Sequence, residues 1–159
     1  MKIKYLTTMG ILLALTVVVQ MIGLPKILTG IAVNAILLIA YQVLGTAWGA
    51  TIGLITPFTA FLFGIAGKPI FIPFIAAGNV VYVVLFSILN RYNQYVGIGL
   101  ASLIKTLIIV SSMILITGNA FSVVFSGQSH QLPAAILGGL LASAISKVLK
   151  ISLKQNNYI

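Results

Sequence analysis

Six apolar runs, each near the length of chain that crosses a bilayer, divide this sequence, and the breaks between them are short and marked by Gly, Pro, Lys and Arg. A helix needs about 20 such residues to span the hydrocarbon core. The runs extend from Tyr5 to Leu24, Thr29 to Leu44, Thr46 to Gly64, Ile70 to Asn90, Val96 to Thr117 and Leu132 to Lys150. Charged residues make up 6% of the chain and hydrophobic residues 60%, whereas a soluble domain carries charge on about a quarter of its positions. The expected fold is therefore an all-α integral membrane protein, a six-transmembrane-helix bundle forming one domain over residues 1–159.

The basic residues set an expected orientation. With both termini cytoplasmic, Lys2, Lys4, Arg91, Lys147, Lys150 and Lys154 fall inside, and only Lys26 and Lys68 fall outside, as the positive-inside rule prefers. The opening "MKIK" followed by an apolar run has no small-residue cleavage site after it, so it reads as a retained first helix. Trp48 falls at the inner interface, where an amphipathic indole is favoured. The polar stretch "TGNAFSVVFSGQSHQLP", residues 117–133, carries Phe121, Val123, Val124 and Phe125 and is expected to fold back onto the bundle.

The chain has no Asp, no Glu and no Cys. That removes carboxylate cages for calcium or magnesium, carboxylate general bases, thiolate ligands and the acidic relays of ion-coupled transporters. No metal, no cofactor and no enzymatic activity are expected. The net charge of +9 does not point to nucleic acid, because most of the bases lie beside apolar spans, where they set topology and meet lipid headgroups. No phosphate-binding loop is present: "GIAGKP" has the wrong spacing and runs into proline. Uphill transport would need an energised partner.

One cation does not belong to either surface. Lys105, in "ASLIKTLIIVSS", lies about nine residues into the fifth run, near the membrane midplane. A lysine there costs about 2.5 to 3.5 kcal/mol. Three readings stay open: the stem snorkels to the headgroups, the amine is neutral, or the ammonium faces a cavity and receives an anion from a ligand. Asn34 and Asn79 fall at compatible depths and need partners if they face the interior. Lys26 and Lys68, on the outer side against the orientation rule, form a positive funnel, and His130 lies just before the sixth run, as a surface or a ligand-facing residue.

Small residues four apart permit close helix approach. Gly45, Gly49 and Gly53 form such a series on the third run, and Gly138 with Ala142 and Gly139 with Ser143 do so on the sixth, where internal packing is the expectation. Gly10 and Ala14 on the first run suit either internal packing or a partner. Pro57 and Pro73 fall within the third and fourth runs, where each frees a carbonyl and is expected to kink or pack.

The stretches "GLPKILTGIAVNAILLIA", "TPFTAFLFGIAGKPIFIPFIAAGNVV", "ASLIKTLII" and "LPAAILGGLLASAISKVL" cover most of the chain. In order and spacing the sequence resembles the substrate-binding S components of energy-coupling factor (ECF) vitamin transporters. The resemblance implies a multi-pass protein of the prokaryotic plasma membrane with a vitamin-sized pocket toward the outer leaflet. It also implies docking onto a transmembrane coupling protein driven by two ATPase subunits. In that family a small-xxx-small motif on the first helix meets the coupling protein, and Gly10 and Ala14 match its spacing. The loop after the first run is short here, which leaves gating to the 65–70 loop or to residues 118–131.

The leading expectation is a subunit that captures a small anionic micronutrient from outside for ATP-driven uptake by its partners. Lys105, Asn79, Asn34, Lys68, Lys26 and His130 are the candidate substrate-binding residues. A structural or assembly membrane protein without a ligand is the alternative. A passive channel ranks last, since no polar stripe runs the length of any span.

Overall fold

A computed structural model describes residues 2–64 and 68–155. Residues 1, 65–67 and 156–159 of the expected domain lie outside the described residues, as do residues 65–67 of the candidate gate and the side chains of Lys2, Lys4, Lys150 and Lys154. Among the described residues there are six long helices and one short one: α1 (Lys2–Met21), α2 (Lys26–Leu44), α3 (Thr46–Leu62), α4 (Ile72–Leu89), α5 (Gln94–Thr117), α6 (Phe121–Gln128) and α7 (Gln131–Gln155). A single 3₁₀ turn, Pro69–Phe71, leads into α4. Four stretches are long and apolar enough to cross a membrane: Lys26–Leu44, Pro69–Leu89, Gln94–Thr117 and Phe121–Val148; Tyr5–Met21 and Thr46–Leu62 are shorter apolar helices.

The helices end where the chain supplies a specific stop. Gly45 takes a φ of 98°, open to glycine and strained for other residues, and its N–H closes on the Tyr41 carbonyl at 2.8 Å, so α2 can turn into α3 within one residue. Gly118 ends α5 in the left-handed conformation, with its N–H on the Ile114 carbonyl at 2.9 Å. Asn93 starts α5, its Oδ1 accepting from the N–H groups of Tyr95 at 2.9 Å and Val96 at 3.2 Å. Gly45 therefore serves as a cap rather than as a member of a glycine stripe. Pro73 lies in the first turn of α4, where a missing N–H leaves no helical bond broken, so it does not free a helix carbonyl as expected. Pro57 is inside α3.

α2 packs on α7, α4 on α5 and α3 on α4. The closest approaches are made by glycines. A Cβ added at Gly138 would lie 2.6 Å from the Ile31 carbonyl oxygen, and one added at Gly30 would lie 2.9 Å from the Ala134 Cβ, so α2 and α7 touch nearly backbone to backbone. Gly49 and Gly53 bring α3 against Tyr41 and Asn79, and Gly139 brings α7 against Ile98 and the Tyr82 hydroxyl. Leu37, Leu38, Ile52, Phe86, Ile98 and Ala142 fill the core between these contacts. Tyr5 of α1 stacks on Trp48 of α3, with ring centroids 6.4 Å apart and planes 12° apart. The segment after α5 folds back as expected, forming α6 with Val124 buried, while Phe121 and Phe125 stack on its exposed side.

Candidate functional site

Pro57 has no N–H, so the Gly53 carbonyl, one turn earlier, loses its helical donor. The side chain of Asn79 on α4 takes that place, its Nδ2 donating to the Gly53 oxygen at 3.2 Å. Gly53 has no side chain to hold α4 away: an added Cβ would lie 3.2 Å from the Asn79 Cβ. Proline, glycine and asparagine thus act together to close α3 on α4. All of this happens beside a cavity of about 340 Å³, whose wall includes Pro57, Thr56 and Asn79.

Lys105 reaches the same cavity from the middle of α5, where it is 3% exposed. Its Nζ donates to Asn34 Oδ1 on α2 at 2.5 Å and lies 5.1 Å from the centre of the Tyr82 ring. Tyr82 is anchored in turn, its hydroxyl donating to the Ala135 carbonyl of α7 at 2.8 Å. Gly78 makes room for the lysine stem: a Cβ there would meet Lys105 Cγ at 3.5 Å and Ile109 Cγ1 at 3.2 Å. The amine is therefore held inside the bundle by an amide oxygen and a ring face, both neutral. Such burial is not the geometry of a snorkelling side chain.

Other expected residues sort by position. Lys26, the first residue of α2, and His130, just before α7, both line the cavity with Asn34, Asn79 and Lys105. Lys68 does not: it is exposed on the segment before Pro69 and is not among the residues lining this wall. Lys68 directly precedes Pro69, which begins the 3₁₀ turn that carries the chain into α4.

One residue that sequence reasoning passed over is Gln20, near the end of α1. It is 9% exposed, lines the cavity, and its Oε1 has no hydrogen-bond partner among the described residues. A buried acceptor left unpaired costs about 1 to 3 kcal/mol. The signal was a lone amide in the apolar run "LTVVVQMIG". Thr29, Thr56 and Gln131 complete the polar part of the wall, although the Thr56 hydroxyl is already used on the Ile52 carbonyl at 2.6 Å.

Two lysines, one histidine and several amides thus surround a space of small-molecule size, in a chain without a carboxylate side chain. The wall offers charge and hydrogen bonds, the groups that hold and orient a polar solute. Comparison with curated proteins and with solved structures found no match. The family model described as "ECF transporter, substrate-specific component" matches residues 4–153. This chain accordingly belongs to the substrate-specific components of ECF transporters, the membrane subunits that bind substrate for these importers.

Proposed function

We propose that this subunit captures a small anionic micronutrient, such as a carboxylate-bearing vitamin, in the cavity bounded by α1, α2, α3, α4, α5 and α7. The observation that carries the reading is Lys105, buried on the cavity wall, its amine partnered among the described residues by Asn34 and the Tyr82 ring. In a chain without Asp or Glu, the carboxylate of a ligand supplies the counterion that no side chain can. Lys26 and His130 add positive and hydrogen-bonding groups near the ends of α1, α2 and α7, where a solute enters. Gln20 supports a further requirement: the ligand also carries an N–H or O–H that donates to the unpaired Oε1.

The chain is read as one domain with both termini cytoplasmic in a prokaryotic plasma membrane, so that the cavity opens outward. In support, Lys26 stands at the cavity end, while Arg91 and Lys147 stand at the other. Substrate loading is followed by docking onto the coupling protein, and two ATPase subunits drive release to the cytoplasm. Gly10 and Ala14 are exposed on α1, on one face with Leu6 and Val18, which fits a coupling-protein contact.

A thermal-shift screen of the purified protein against a vitamin panel tests the reading. Carboxylate-bearing compounds are expected to raise the melting temperature, and Lys105→Met is expected to weaken the best of them about tenfold. Unchanged affinity in that variant ends the assignment of Lys105. A flat response from well-folded protein favours a structural or assembly role.

A further inference from the structure

A second recess, of about 430 Å³, lies at the end of the bundle opposite the cavity. Along α7, Ser146 is about 22 Å from Gln131 at the first site. The recess is lined by Gln42 from the last turn of α2, Asn90 after α4, Gln94 at the start of α5, and Ser143, Ser146 and Lys147 on α7.

Ser146 is the informative residue. Most helical hydroxyls among the described residues donate to a carbonyl of their own helix, as Thr106 does to Ser102 at 2.8 Å and Ser143 to Gly139 at 2.9 Å; Ser102 Oγ, fully buried within the bundle, is an exception that reaches no recess. Ser146 is 8% exposed, yet its Oγ has no partner among the described residues. Around it the groups are donors or amphoteric. Gln94 Nε2 donates to Ser143 Oγ with one of its two hydrogens, which leaves the other free of that bond. The N-terminus of α5 begins here, and Lys147 contributes a full positive charge. No side chain in the protein can supply a negative one. Val43, Ile145 and Val148, each next in sequence to a residue that lines the recess, are exposed.

We propose that this recess is an anion site that seats the phosphate of an anionic phospholipid. Lys147 pairs with the phosphate charge, the buried Ser146 hydroxyl donates to one of its oxygens, and the acyl chains lie along Val43, Ile145 and Val148. The site is independent of the substrate cavity, with which it shares no lining residue.

Native mass spectrometry of the full chain, released from detergent with added phosphatidylglycerol or phosphatidylcholine, tests this. One phosphatidylglycerol is expected to be retained about tenfold over phosphatidylcholine. Lys147→Met and Ser146→Ala are each expected to lower that retention about fivefold, with melting temperature and elution volume unchanged. Arg91→Met removes an exposed base that does not line the recess, and it is expected to leave retention as it was. Retention that survives millimolar inorganic phosphate assigns the lipid headgroup as the source. Displacement by inorganic phosphate, together with thermal stabilisation by phosphate alone, assigns the free anion to the same groups. Equal retention of the two lipids overturns the proposal, as does equal loss from Arg91→Met and Lys147→Met, or no loss from either recess variant.

Discussion

The small residues of α1 and those of α7 follow the same four-residue spacing and meet opposite surroundings. At Gly138 an added Cβ would lie within 2.6 Å of α2 backbone; at Gly10 it would meet nothing within 4 Å. The α7 pattern is consumed by the fold, whereas the α1 pattern faces outward beside exposed Leu6, Ile11, Ala14 and Val18. The spacing alone records that some backbone must come close. Whether that backbone belongs to the same chain depends on which other helices have already claimed the neighbouring groove.

The contrast breaks most sharply at its tight end. Gly138→Val puts branched carbon against the Ile31 carbonyl and the Asn34 Cβ, so it is expected to cost about 3 kcal/mol and to displace the Lys105 partner; loss of a monodisperse elution peak measures it. Wild-type elution and melting from this variant would show that α2 and α7 do not meet as described. Next comes Asn79→Ala, which leaves the Gly53 carbonyl unpaired and is expected to destabilise by about 1 to 3 kcal/mol. Adding Pro57→Ala restores a helical donor to that carbonyl, so the double variant should regain part of the lost melting temperature.

At the open end the readout changes. Gly10→Leu is expected to leave melting temperature and ligand response intact while lowering copurification with coupling and ATPase subunits about tenfold. A fall in melting temperature instead would mean that α1 packs internally through this face. The smallest effect is expected from Gly99→Ala, inside α5 with nothing near an added Cβ: a gain of about 0.5 to 1 kcal/mol, seen as a slightly higher melting temperature.

The long helices were legible because hydropathy and the Gly and Pro stops both act locally. The six expected runs correspond to α1 to α5 and α7, with starts and ends displaced by a few residues. Helix α6 was foreseen only as a folded-back segment, since one buried residue, Val124, leaves too weak a pattern to define a helix. Gly45 and Pro73 were misjudged for a related reason: each was treated as interior when the chain turns beside it, and a shift of one turn changes a packing residue into a cap.

At the site, Lys105, Asn34 and Asn79 stood out because polar groups at membrane depth demand partners. Their mutual arrangement did not, because it depends on three helices arriving together. Asn79 bonds to a carbonyl that only Pro57 could free, and Lys105 to an amide 71 positions away in sequence. Lys68 was placed by charge and expected side of the membrane alone, and those considerations cannot tell a cavity wall from an exposed connection. Gln20 was missed because one amide in an apolar helix resembles an ordinary helix-end residue until a cavity is found beside it.

Trp48 is the chain's only indole, and its ring lies parallel to that of Tyr5 across the boundary between α1 and α3. Ultraviolet excitation at the red edge of the aromatic band therefore reads a single location without any label. A shift in emission maximum or quenching when other subunits are added would register the leaning of α1 against its neighbour, in a spectrum with no second tryptophan to subtract.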